Sequence, residues 1–243
     1  MAIIRHWTYT PSTESINNWN DRRDFVMLEA AVFDMDGLMI DSQPYWQTAQ
    51  LEVLPTLGVA MTRQDTIETT GSRIDEIVQA CYERSPWESV TQKEVCDRIV
   101  NRVIQLVQQH KPAMPGLRHA IDVCQQQGLK LALASSSPLS LISATIDALQ
   151  LQGVFSAKMS AADLRYAKPH PEVYLNACDA LGVRPTNAIA FEDSLIGLLA
   201  AKAAQMKTIV VPEPSAAKDP RFVIADRQLA SLEELTQPML TSI

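Results

Sequence analysis

Short apolar runs that stop abruptly in polar clusters set the narrowest limit on what this 243-residue chain can fold into. Ala30-Ala31-Val32-Phe33 runs into Asp34-Met35-Asp36-Gly37, and Leu129 to Ala134 runs into Ser135-Ser136-Ser137. Ala188-Ile189-Ala190-Phe191 runs into Glu192-Asp193-Ser194, and Thr208 to Val211 is a further run of the same kind. Runs this short and this apolar suit strands buried on both faces. Helix-like stretches lie between them, including Ala120 to Cys124 before Gly128, Leu139 to Leu149, and Ser194 to Ala204. The alternation predicts an α/β fold: a Rossmann-like parallel sheet with helices on both faces. In such a sheet all carboxyl ends share one edge, so clusters far apart in sequence can meet there.

The alternation is interrupted once. From residue 43 to residue 112 the pattern is helical, with no strand-like run. Tyr45, Ala49, Leu51, Val53 and Leu57 suit one helix. Ile74, Ile77, Val78 and Cys81 suit a second with Ser72 as its cap, and Ile99, Val103, Leu106 and Val107 a third. The predicted organisation is a catalytic core over 28–42 and 113–243, with an inserted all-helical cap domain over 43–112. Residues 1–27 show no sustained period and are expected to be a poorly ordered extension.

The polar clusters suit phosphoryl transfer. Asp34, Glu192 and Asp193 are hard oxygen ligands of the kind Mg²⁺ prefers. Ser135, with the amides of Ser136 and Ser137 after it, supplies donors for phosphate oxygens. Lys168, in Ala-Lys-Pro-His-Pro, supplies positive charge. A carboxylate attacking phosphorus there would form an aspartyl-phosphate. Asp36, two residues on, could protonate the leaving alkoxide and then deprotonate water. Each cluster alone has a plainer reading: a turn, a helix cap, a solvated lysine. Their occurrence together in this order favours the chemistry.

Composition narrows the partners. A net charge of −7 argues against a general nucleic-acid or anionic-membrane binder. No apolar run approaches the roughly 18 residues of a membrane span. Cys81, Cys96, Cys124 and Cys178 form no Cys-x-x-Cys pair and read as buried free thiols. A cytoplasmic monomer is expected.

Phe-Asp-Met-Asp-Gly, Leu-Ala-Ser-Ser-Ser, Ala-Lys-Pro-His-Pro-Glu-Val-Tyr and Phe-Glu-Asp-Ser-Leu-Ile-Gly resemble the four motifs of the haloacid dehalogenase superfamily. The likeness runs from about Ala30 to the carboxyl end and favours the β-phosphoglucomutase-like branch. Within that branch the chain resembles its sugar-phosphate phosphatases acting on 2-deoxyglucose 6-phosphate and hexitol phosphates. Ser-Pro-Trp and Asp-Pro-Arg-Phe-Val carry that narrower match.

The resemblance implies a Rossmann-like core with a closing helical cap and a Mg²⁺-dependent phosphatase. It implies Asp34 as nucleophile and metal ligand, and Asp36 as acid/base and backbone metal ligand. Ser135 and Lys168 would hold the phosphoryl group, Ser137 would add a contact, and Glu192 and Asp193 would position the metal. Gly71-Ser72-Arg73 resembles a cap motif whose arginine contacts substrate. Trp46 stands where the mutase has a histidine that assists its acid/base, which weakens the mutase reading. Tyr45 and Trp46 line the sugar side of the pocket or pack within the cap. A β-phosphoglucomutase-type phosphomutase and a phospho-signalling or phosphate-binding module are the competing expectations.

Overall fold

The computed structural model describes residues 27–243. The extension expected over 1–27 therefore lies outside the described residues, Met27 excepted. The strands are β1 (Ala30–Phe33), β2 (Lys130–Ser135), β3 (Ala157–Ser160), β4 (Ala188–Glu192), β5 (Lys207–Val210) and β6 (Arg227–Gln228). They form one sheet in the order β3-β2-β1-β4-β5-β6, with every neighbouring pair parallel. The acidic end of β1 is therefore central, flanked by β2 and by the equally acidic end of β4. Phe33 is in register with Leu133 on one side and Phe191 on the other.

Strand side chains alternate between faces, and the two apolar clusters follow that period. Ala31, Phe33, Leu133 and Phe191 belong to one cluster, while Ala30, Val32, Ala132 and Ala190 belong to the other. The rings of Phe33 and Phe191 stack with centroids 4.6 Å apart. Burying each such side chain contributes about 1.5–3 kcal/mol. β3 and β6 were not foreseen, because one face of β3 is only half-buried and β6 spans two residues.

The helices are α1 (Gln43–Val53), α2 (Arg63–Glu68), α3 (Ile74–Arg84), α4 (Gln92–His110), α5 (Leu117–Gln126), α6 (Leu139–Ala148), α7 (Glu172–Leu181), α8 (Leu195–Ala203) and α9 (Gln237–Thr241). Val173, Tyr174 and Ala177 of α7 cover one face of the sheet, and Ile121 of α5 and Leu141 of α6 belong to the cluster on the other. Within the helical segment α4 is the hub, against which α1 and α3 pack, and it also lies on α6. Apolar packing is consequently continuous from Val78, Ile99 and Val103 through Ile142 to Phe33. α2 is short enough to escape a periodicity reading, yet Thr62 and Asp65 give it a capping box. Ser72 does not cap α3; Arg73 takes that position with an extended backbone and makes no side-chain cap bond.

The chain leaves the sheet edge and returns to it through paired connectors. Asp41 N–H donates to Pro112 O at 2.9 Å, and Met114 N–H donates to Met39 O at 2.9 Å. The helices between them are thus held over the carboxyl edge of the sheet by two adjacent strands of backbone. Among the described residues no helix is long and apolar enough to cross a membrane.

Candidate active site

Asp34 and Asp36 leave β1 toward different neighbours. Asp34 N–H still donates to Phe191 O at 3.0 Å, which keeps it in register beside β4. Its carboxylate offers an oxygen within 4.8 Å of oxygens from Glu192 and Asp193. The chain then turns at Gly37, where φ is +83°. A Cβ there would stand 2.0 Å from Asp193 Oδ2, so only glycine admits that carboxylate. Gly197 in the first turn of α8 plays the same part for Glu192, since its Cβ would fall 1.8 Å from Oε1.

Lys168 ties the cluster together. Its Nζ donates to Asp34 Oδ1 at 2.6 Å, Glu192 Oε1 at 2.7 Å and Ala134 O at 3.0 Å. The Tyr174 hydroxyl also donates to Glu192 Oε1. The second oxygen of Glu192 accepts from the Ser194 hydroxyl at 3.1 Å and from the amides of Asp193 and Ser194. Lys168 is 5% exposed at its side chain and Glu192 0%, so neither is the solvated surface group its local sequence allows.

Burial and mutual repulsion govern this cluster. Burial pushes Asp34 up to about 7; Lys168 opposes that, while Glu192 and Asp36 reinforce it. Asp193 is raised well above the ordinary carboxylate range, first by burial and then by Asp34 and Glu192. Burial alone would lower Lys168, but Asp34 and Glu192 outweigh it and hold the ammonium above its usual range. Three carboxylates against one ammonium leave two negative charges when all are ionised, the charge of one divalent cation. Oxygens facing each other across Mg²⁺ stand about 4.2 Å apart, so a set within 4.8 Å fits a metal of that size.

Asp36 stands apart, held by four donors. Ser42 Oγ at 2.5 Å and Trp46 Nε1 at 3.2 Å donate to Oδ1, while Ser137 Oγ at 2.7 Å and Ser135 Oγ at 3.3 Å donate to Oδ2. The carboxylate is thereby fixed between the sheet edge and α1. Ser42 was not anticipated. A serine just before a helix reads as a cap, yet its side chain makes no cap bond and instead holds Asp36.

A cavity of about 470 Å³ opens between this edge and the helices above it. Asp34, Asp36, Ser136, Ser137, Lys168 and Asp193 all reach its wall. Ser135 is fully buried behind them, accepting from Ser137 N–H at 3.0 Å. Trp46 lines the cavity. Tyr45 does not, and of its two expected places it takes the one within the helical segment: its ring stacks on His110 at 5.4 Å, because neighbouring residues on a helix point about 100° apart. Arg73 reaches the wall, but its guanidinium is engaged. It pairs with both oxygens of Asp75 at 2.9 and 2.6 Å and donates to Leu164 O at 2.9 Å and Ala162 O at 2.7 Å.

The arrangement places an acidic metal-sized cluster, a buried ammonium and a separately held carboxylate around one cavity mouth. Comparison with known proteins gives the family. The chain is 48% identical over 208 residues to hexitol phosphatase B of Escherichia coli (strain K12), covering 85% of this chain and 94% of that one. CbbY from Rhodobacter sphaeroides, solved with phosphate, superposes with a TM-score of 0.79 at 26% identity, covering 89% of this chain and all of that one. A variant of CbbY solved with xylulose-(1,5)bisphosphate gives a TM-score of 0.77 at 26% identity, over 86% and 96% of the two chains. The family profile described as haloacid dehalogenase-like hydrolase matches residues 31–211, spanning every strand from β1 to β5, and the chain belongs to that family.

Proposed function

We propose that this chain is a Mg²⁺-dependent phosphatase of small sugar or polyol phosphates, 2-deoxyglucose 6-phosphate and hexitol phosphates among them. The observation that carries the reading is Lys168 Nζ bridging Asp34 and Glu192, with Asp193 completing a metal-sized oxygen cluster at the cavity mouth. The 48% identity to a hexitol phosphatase supports the choice of substrate class.

Asp34 is the nucleophile in this reading. Its free oxygen attacks phosphorus, the alkoxide leaves, and an aspartyl-phosphate forms and is later hydrolysed. Asp36, oriented by Ser42, Trp46, Ser135 and Ser137, gives a proton to the leaving oxygen and takes one from the attacking water. Lys168 and the amides after Ser135 hold the phosphate oxygens, with Ser136 and Ser137 at the cavity wall. Asp34, Asp193, Glu192 and the Asp36 carbonyl would hold Mg²⁺, which offsets the charge of phosphate beside carboxylate. Residues 43–112 act as a cap that shields the reaction from bulk water, on a core of 28–42 and 113–243. A monomer working in the cytoplasm completes the reading, in keeping with four free thiols.

The test is phosphate release across a panel of sugar and polyol phosphates, with and without Mg²⁺. Mg²⁺-dependent release from hexose and hexitol monophosphates is expected. Isomerised sugar without inorganic phosphate would instead identify a mutase, and no turnover with any ester would remove the enzyme reading.

A further inference from the structure

Arg73 belongs to the helical segment, yet half of its hydrogen bonds reach into the core. It stands at the start of α3 with an extended backbone, and its side chain is 14% exposed. Asp75 takes Nε and Nη2 through its two oxygens, which fixes the plane of the guanidinium. Nη1 then donates to Leu164 O and Nη2 to Ala162 O, so four of the five N–H groups are used. Any lifting of residues 43–112 must break the two bonds to the carbonyls, since the donor belongs to the helices and the acceptors to the core.

The segment that Arg73 grips carries phosphate-holding groups at both of its ends. It begins after β3, where Ser160 Oγ donates to Ser137 O at 2.8 Å and Ala161 N–H donates to Ser135 O at 2.8 Å. It ends at Lys168, whose ammonium bridges Asp34 and Glu192. Residues 161–167 contain neither helix nor strand, so no ladder of backbone bonds fixes their path. Among the described residues, the side-chain donors to their carbonyls come from Arg73 alone.

We propose that Arg73 is a positioning residue for Lys168 and the Ser135–Ser137 turn. It draws the 161–167 segment into place only when residues 43–112 lie over the sheet edge. The phosphate-holding groups are then fully set only while the cavity is covered, so the site is assembled and shielded in one step. The inference rests on the phosphatase reading for the reaction and on residues 43–112 acting as its cap. It gives Arg73 the same work on every ester, because the guanidinium acts through the segment and not on the substrate. Bidentate capture of a distal phosphate would require it to give up bonds it already makes, since one N–H is left.

The test uses inorganic phosphate, which has no tail to read, beside a hexose bisphosphate. Calorimetric dissociation constants with Mg²⁺ present are measured for the parent, Arg73→Lys and Arg73→Ala, in an Asp34→Asn background so that nothing turns over. Amide hydrogen exchange is followed in the same proteins. A lysine keeps the charge but loses the planar fork that spans a carboxylate and two carbonyls. Arg73→Ala is expected to bind inorganic phosphate about tenfold more weakly and Arg73→Lys about fivefold, within the usual range of coupling between two sites. Amides of residues 161–168 should exchange at least about fivefold faster in both variants. Three results would each overturn the proposal. One is phosphate affinity within twofold of the parent in Arg73→Lys, the mark of a charge acting at a distance. Another is faster exchange confined to α3, the mark of a residue that only starts its own helix. The third is a loss of affinity confined to the bisphosphate, the mark of an arginine that reads a second phosphate. Failure of the phosphatase reading would show separately, as absent phosphate release from the native enzyme, which the exchange measurement does not need.

Discussion

The sheet edge and the helical wall above it face each other across one cavity, and they treat polar groups in opposite ways. At the edge Lys168 touches three acceptors beside the Tyr174 ring, both oxygens of Glu192 are engaged, and Asp36 takes four donors. On the helical wall Gln50 keeps a buried oxygen with no partner, and Arg73 is bound to Asp75, Ala162 and Leu164. A network with most of its groups engaged holds one geometry, which is what bond making at phosphorus requires. A wall with unengaged neutral groups can grade many ligands. The difference teaches where to expect chemistry and where to expect choice.

The contrast can be broken by mutation, and the largest effect belongs to the edge. Asp34→Asn should lower kcat by at least about 10³-fold on every ester while the fold persists, since it removes the attacking group. Steady-state assays on a hexitol phosphate and an aryl phosphate check this; losses differing tenfold between the two would show that the edge also chooses substrate. Gly37→Ala comes next. Its new Cβ would collide with Asp193, and a displaced ligand of this kind costs about 10–100-fold in metal affinity or activity. Titrating the rate against Mg²⁺ should show the half-maximal concentration rising; an unchanged curve would mean that Asp193 has room to move and does not hold the metal.

Trp46 sits at the boundary between the two regions and sharpens the comparison. Trp46→Phe removes one donor from Asp36, a loss of about 1 kcal/mol or fivefold in rate. If Trp46 works through Asp36, kcat falls alike for all esters and KM stays put. A loss confined to hydroxylated esters would assign the indole to the helical wall instead.

The smallest signal is thermal. Asp34, raised to about 7 by burial, stays protonated in the folded state over a range where the unfolded carboxylate, ordinarily near 3.9, is ionised. The part of metal-free stability that Asp34 contributes is therefore lost as pH rises from about 4 to about 7. A divalent cation favours the ionised form, so it should raise the melting temperature by a few degrees more at pH 8 than at pH 5. Asp34→Asn should flatten that difference. An equal rise at both values would sever the metal from the carboxylate.

The edge was legible in sequence because strand direction does the work. Once Ala30 to Phe33, Lys130 to Ser135 and Ala188 to Glu192 are parallel, their terminal residues must converge, whatever the distance along the chain. Lys168 was legible as a charge near the cluster but not as its bridge, since no periodicity fixes a loop residue. The helical wall was far less legible. Glutamine at α-helical spacing looks like an ordinary solvated face, and only the packing of α1 over the sheet turns Gln50 inward. Arg73 looked free to meet substrate because two of its partners, Ala162 and Leu164, lie some ninety residues away in an irregular segment, and the third, Asp75, reads as an ordinary first-turn carboxylate of α3. Tyr45 and Trp46 differed only by one step along a helix, which sequence alone cannot assign to a side.

The contact of α4 with α6 bears on engineering. Residues 43–112 look like a module that could be exchanged among relatives to transplant specificity, since both connectors sit side by side at the sheet. Yet a graft cut at those connectors would strand the apolar flank of Leu141 and Ile142, which belongs to the recipient and is packed against these helices. Chimeras that carry α6 along with residues 43–112 should therefore express as well-behaved protein more often than those that do not.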